Sequence, residues 1–156
     1  MAEERQFCTF LLDGLLFGVQ VKEIQEVIRY QQITHVPLAP HVIQGLINLR
    51  GQIVTAIDLR RRLELPDLPE DKRPMNVVVR TGEDVVSRLV DEIGDVVNVD
   101  EDTFERPPET LTGEARSLIL GAYKLENRLL LQLDTAKAIS IADSDNGPKG
   151  TFNAQH

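Results

Sequence analysis

Three histidines and one cysteine, set among 25 acidic residues, are the material for chemistry in this 156-residue chain. Metal-assisted or hydrolytic chemistry needs such groups at set spacings. His35 and His41 have no Cys or carboxylate set at zinc-ligand spacing, and His156 is the last residue. No Gly-rich phosphate loop precedes a helix, no Gly-x-Ser-x-Gly elbow occurs, and no Cys/His pair is spaced for nucleophilic attack. The acidic residues fall on turns and solvent faces, and nothing marks a carboxylate pair for general acid/base work. Asp100-Glu101-Asp102 reads as a solvated acidic loop, without metal-ligand spacing. The spacings point away from catalysis, and no cofactor or metal is expected.

What remains is a cation in an unusual place. Arg50-Gly51 separates the apolar runs Leu46 to Leu49 and Gln52 to Ile57, the pattern of a β-hairpin. A type I′ turn needs a left-handed first residue, and Arg is a poor choice there. Either the loop is wider than two residues, or a cation is held at this tip at local cost; an ordinary solvated loop arginine is the plain alternative. Because the second run is apolar on both faces, the hairpin is expected to lie centrally.

The bulk numbers bound the rest. A net charge of −8 and a pI near 4.9 argue against phosphate-neutralising binding of nucleic acid. One cysteine excludes an intrachain disulfide and fits a reducing compartment. With no apolar signal core and no membrane-length run, a soluble cytoplasmic protein is expected. Met1 and the polar tail read as the ends of a complete small protein.

Several elements must position the tip. Asp13-Gly14 between Phe7 to Leu12 and Leu15 to Gln20 predicts a hairpin pairing Leu12 with Leu15, Phe10 with Phe17 and Cys8 with Val19. That register puts Cys8 on a core face as a quiet thiol. Val21, Ile24, Val27 and Ile28 recur at helical spacing and predict a short amphipathic helix over 21–30. Ile33 to Val36 reads as extended. Asp58 is placed to cap a short helix through Leu63, and Arg60, Arg61 and Arg62 read as a solvated face, with a partner patch as the alternative. Pro66, Pro69 and Pro74 mark a loop. Met75 to Arg80 with Val85 to Val90, and Leu118 to Lys124 with Arg128 to Leu133, read as further hairpins. Ile93 to Val99 continues the extended pattern. Asp134-Thr135 is placed to cap a last helix through Ile141.

The chain repeats itself. Val21 to Val27 resembles Val90 to Val96, each after a hairpin; Ile33 to Pro37 has a rough counterpart in Thr103 to Pro107. Gly45, Leu49, Ile57 and Asp58 match Gly121, Leu125, Leu133 and Asp134 at identical spacing. The expected fold is all-β: two small five-stranded barrels with short helices. They form a single domain over 7–141, with β-units at about 7–66 and 75–141, a connecting loop at 67–74, and a disordered tail over 143–156. At the hairpin tips the repeats differ, Arg50-Gly51 against Glu126-Asn127.

Gly45-Leu-Ile-Asn-Leu-Arg-Gly-Gln-Ile-Val-Thr-Ala-Ile-Asp-Leu59 resembles the signature hairpin of the CheW family of bacterial chemotaxis coupling proteins. The resemblance extends through Phe17-Gly-Val, Val21 to Tyr30, Ile33 to Pro37, Leu89 to Val96, Leu120-Gly121 and Arg128 to Asp134. It implies SH3-like barrel subdomains and a non-enzymatic adaptor or scaffold in two-component chemotaxis signalling. The implied partners are the regulatory domain of a CheA-type histidine kinase and the cytoplasmic tip of a methyl-accepting chemoreceptor, without direct membrane insertion. By match to the family pattern, Ile24, Glu26, Val27 and Val96 would line a receptor-binding groove. Gly45, Asn48, Arg50 and Gly51 would belong to the coupling interface. From the residues alone, Ile24, Val27 and Val96 suit a shared core equally well, Gly45 a backbone turn, and Glu26 a helix-surface pairing with Lys22 or Arg29. Val21-Lys22, Ser87-Arg88 and the arginine triplet depart from the family pattern. Other readings are an isolated regulatory domain of a kinase, a coupling protein of a non-flagellar pathway and, more remotely, a small-ligand-binding β-barrel.

Overall fold

The computed structural model describes residues 4–81, 84–111 and 113–138. The chain opens with strands β1 (Glu4–Leu12) and β2 (Leu15–Gln20), joined by Asp13 and Gly14 at φ 51° and 80°. Two successive left-handed residues match the strand twist, and they set the expected register: Leu12 opposite Leu15, Phe10 opposite Phe17, Cys8 opposite Val19. Phe10, Leu12, Phe17 and Val19 enter the principal core, while Leu15 beside the turn is exposed. The opposite face is also covered, with Phe7 and Leu16 packed against Val99, Tyr123 and Leu130. Cys8 is buried, and desolvation raises its thiol pKa.

The segment expected as a helix is not one. A 3-10 turn at Val21–Glu23 leads into strand β3 (Ile24–Ile28), which pairs antiparallel with β6 (Met75–Thr81). Val21, Ile24, Val27 and Ile28 are all β-branched, which disfavours a helix despite their spacing, and the edge of β6 satisfies the backbone of β3. A bulge between Ile24 and Glu26 leaves Val27 pointing out and Ile28 packed inward.

Strands β4 (Ile43–Leu49), β5 (Gln52–Asp58) and β7 (Asp84–Val90) complete a five-stranded sheet in the order β3-β6-β7-β5-β4. The Arg50 hairpin is therefore at a border rather than central: β5 is internal, but β4 is outermost and, among the described residues, meets on its outer side a single bridge from Thr34 to Leu46. Its apolar character has a different cause. The sheet curls so that Ile47, Leu49, Val54, Ala56, Val78 and Leu89 fill its concave side, with Ile28 and Ile33 packed against them. Curling brings the end strands β3 and β4 toward each other.

The second sheet adds β8 (Glu92–Asp100), β9 (Phe104–Glu105), β10 (Ile119–Lys124) and β11 (Leu129–Leu133), in the order β8-β1-β2-β11-β10-β9. The repeats seen in the sequence exchange elements. The β1–β2 hairpin is flanked by β8 and β11 from the second repeat, and the β6–β7 hairpin by β3 and β5 from the first. The loop at 67–74 separates the repeats along the chain but not the sheets. The principal core joins both sheets, with Phe10, Phe17 and Leu131 from one and Val77, Val79 and Val90 from the other. The fold is all-β, with short helices α1 (Leu59–Arg62), α2 (Gly113–Ser117) and α3 (Thr135–Ala138). Helix α2 was not anticipated; Ile141 and the tail from Asp143 lie outside the described residues.

Asp58 caps α1 as expected, accepting from the Arg61 N–H. The arginines that follow are not a solvated face. Arg60 Nε and Nη2 donate to Asp91 at 2.8 and 2.6 Å, and Nη1 to the Pro66 carbonyl. Asp91 also accepts from the Asp13 N–H, tying a hairpin tip of one sheet to α1 beside the other. Arg62 is buried and donates to the Lys137 carbonyl. Asp91 and Lys137 are distant in sequence, so local charge pattern could not reveal them. The acidic segment at 100–102 is likewise tied down: Asp100 caps its own 3-10 turn and Glu101 pairs with Arg5.

Candidate partner-binding surface

The tip of the β4–β5 hairpin is a two-residue turn, with Leu49 opposite Gln52 and Arg50 and Gly51 at φ 51° and 92°. A left-handed non-glycine residue carries roughly 1–2 kcal/mol of steric cost. Asn48 offsets part of it, its side-chain Oδ1 accepting from the Gly51 N–H at 2.7 Å. The chain thus holds a cation at the tip at local cost rather than widening the loop.

Arg50 reaches across the mouth of the curl to β3, where its guanidinium donates to and ion-pairs with the Glu26 carboxylate. That hydrogen bond lowers the Glu26 pKa and raises that of Arg50. The side chain of Arg50 is 72% exposed and that of Glu26 20%, so the cation faces outward over a half-sheltered carboxylate. Glu26 pairs with Arg50, not with Lys22 or Arg29 along a helix.

The remaining predicted residues divide. Val27 is exposed beside Glu26 on the outermost strand. Ile24 is half-buried and packs on the principal core. Val96 is 56% exposed, but lies on β8 opposite Cys8, at the border of the other sheet. Gly45 is internal: a Cβ there would stand 2.3 Å from the Thr34 carbonyl oxygen, so the residue admits the bridge to β4. Glu26, Arg50, Asn48 and Gly51 come together at one end of the five-stranded sheet, with Val27 alongside. Ile53, 60% exposed in the strand just after the turn, belongs with them and was missed. Its signal was present in the alternation of β5: Ile53, two residues beyond the Arg50-Gly51 turn, faces opposite to Val54 and Ala56, which the curl buries.

A separate cleft of about 640 Å³ is lined by Tyr30, Gln44, Asp58, Arg61, Lys72 and neighbours. Much of its charge is internally matched, with Arg60 on Asp91 and Arg61 within 3.5 and 3.6 Å of Asp58 and Asp67. Burial raises the Asp58 pKa. No group of three or more metal-ligating side chains occurs among the described residues, and no helix there is long and apolar enough to cross a membrane.

Comparison with known proteins gives a consistent result. The profile of the CheW-like domain family matches residues 6–143. The chemotaxis protein CheW of Bacillus subtilis is 33% identical over 137 residues, covering 88% of each chain. That of Klebsiella aerogenes is 30% identical over 136 residues, covering 87% of this chain and 82% of the relative. The crystal structure of the scaffolding protein TtCheW from Thermoanaerobacter tengcongensis superposes with a TM-score of 0.76 at 27% identity, over 84% of this chain and 89% of that one. The two interleaved sheets, the Asn48-Leu-Arg-Gly51 turn and the matched span together place this chain in the CheW-like domain family.

Proposed function

We propose that this protein is a non-enzymatic coupling adaptor of chemotaxis-type signalling, joining a chemoreceptor's cytoplasmic tip to the regulatory domain of a CheA-type histidine kinase. The observation that carries this reading is the Arg50–Glu26 pair, held at a strained turn beside exposed Val27 and Ile53. Apolar side chains flanking a fixed charge pair suit an amphipathic helix: the aliphatics supply contact area and the charges set register. Glu26 and Val27 are assigned to the receptor-facing surface, with Asn48, Arg50 and Gly51 at its coupling end; Ile24, packed on the principal core, holds the start of β3 from within. Val96 would join them only if a partner spans the borders of both sheets. Gly45 acts by admitting Thr34 to the edge of β4. The protein works in the cytoplasm and reaches receptor arrays through its partners.

Gel filtration of the chain with a CheA-type regulatory domain tests the kinase half of the reading. A single earlier-eluting peak at micromolar concentrations is expected. Two peaks that never merge contradict it.

A further inference from the structure

Ser87 and Arg88 lie on β7, in the middle of the five-stranded sheet, and both are wholly buried. Ser87 is satisfied: its hydroxyl donates to Asn76 Oδ1 at 2.7 Å, and Asn76 in turn donates to the Arg29 carbonyl. Arg88 is not. Its Nη2 donates to the Thr135 carbonyl at 2.8 Å, but Nε and Nη1 meet no acceptor among the described residues. Desolvation pushes its pKa down to about 10, which leaves it charged at neutral pH. A buried guanidinium without a counter-charge is among the least tolerable groups in a protein interior.

Glu23 is the carboxylate whose charge acts on Arg88, and the two form no ion pair or hydrogen bond among the described residues. Glu23 is half-buried and ends the turn Val21–Glu23, where the chain crosses from β2 in one sheet to β3 in the other. Thr135, the existing acceptor, begins α3 just after β11 of the six-stranded sheet. Arg88 therefore sits where both sheets and the crossover between them meet. The next residue after Glu23 is Ile24, the first of the strand that carries Glu26 and Val27.

We propose that Arg88 is the fixed half of an internal latch: the Glu23 carboxylate turns inward onto its open N–H groups, drawing the crossover turn and β3 against the inter-sheet core. An acceptor at Nε or Nη1 supplies the missing charge-assisted bond, and closure fixes the strand that bears the partner-facing residues. The latch deepens the adaptor reading, on which its importance for coupling rests, but its test needs no partner.

The free protein, labelled with 15N at arginine, reports the latch through the Arg88 Nε–H resonance and through amide exchange over residues 21–28. Glu23→Gln is expected to move that resonance and to speed exchange of those amides about tenfold. Arg88→Met should speed exchange equally, and the double variant should be no faster than either single one. An unmoved resonance with unchanged exchange in Glu23→Gln would overturn the proposal, leaving the open N–H groups to buried water. Additive effects in the double variant would overturn it too. Glu23 is only half-buried, so its variant decides the matter even if Arg88→Met fails to fold. Loss of kinase or receptor binding would count against the adaptor reading and would leave these readouts unaffected.

Discussion

Two hairpins of this molecule are built alike and end differently. In β4–β5 and in β10–β11, a glycine (Gly45, Gly121) sits at a register shift and lets a neighbouring segment close in. In both, the second strand pairs parallel with a hairpin strand of the other repeat. Each ends in an aspartate whose carboxylate accepts from a backbone N–H three residues on, Asp58 from Arg61 and Asp134 from Lys137. At the tips the likeness stops. Arg50 and Gly51 are left-handed, braced by Asn48 and bonded to Glu26. The counterparts Glu126 and Asn127 are not left-handed, and Lys124, in the place of Asn48, pairs with Glu105 at 3.1 Å. The scaffold is thus made once with a cation at its tip and once without, so the hairpin itself does not require Arg50.

The comparison can be broken most forcefully at the glycines. Gly45→Ala would set a Cβ 2.3 Å from a backbone oxygen and should lower stability by about 3 kcal/mol or more, read as a shifted urea midpoint. Gly121→Ala meets the Glu105 carbonyl oxygen at 2.5 Å and the Phe104 ring at 2.2 Å. There β9 is only two residues long and lies at a border, so it can give way and the loss should be smaller. Equal losses would mean that the two closures are equally rigid.

A second test addresses the tie between the sheets. Burial raises the Asp91 pKa, but the Arg60 guanidinium and the Asp13 N–H outweigh it and leave the net shift downward. A carboxylate with a lowered folded-state pKa contributes stability above its unfolded value, about 4, and loses it as pH falls through the folded value. Asp91→Asn should therefore cost about 2 kcal/mol at neutral pH and flatten the acid limb of the stability profile below about pH 4. An unchanged acid limb in the variant would remove Asp91 from the account.

The tip itself gives smaller effects. Asn48→Ala removes the acceptor of the Gly51 N–H at an exposed site, so a loss of about 0.5–1 kcal/mol in thermal unfolding is expected. The same change at Lys124 should cost less, since an exposed ion pair is worth about 0–1 kcal/mol. A larger loss at Lys124 would reverse the assignment of the stiffer tip.

Much of this architecture was legible in the sequence because it is local. Asp13-Gly14 fixes both turn and register, and Asp58 announces its cap. The equal spacing of Gly45 to Asp58 and Gly121 to Asp134 exposes the repeat. What escaped was decided at long range. The apolar spacing of 21–28 fits a helix, and only the edge of β6, some 50 residues away, makes it a strand. Arg60 and Arg62 are sheltered by Asp91 and Lys137, which no window around residue 60 contains, while Arg61 stays half-buried beside Asp58 and Asp67. At the candidate surface, the family likeness named Glu26 and Arg50 separately, and the curl of the sheet unites them. The same curl leaves Ile24 and Gly45 inside and Ile53 outside.

The central claim is that Arg50 serves coupling and not the fold. Receptor-dependent activation of a CheA-type kinase by the Arg50→Glu variant, taken with its thermal midpoint, tests this most directly. A solvated tip residue changes stability by about 0.5 kcal/mol or less, so the midpoint should hold while activation falls at least tenfold. A midpoint that drops in proportion to the lost activation, or an activation left at its wild-type level, would contradict the account.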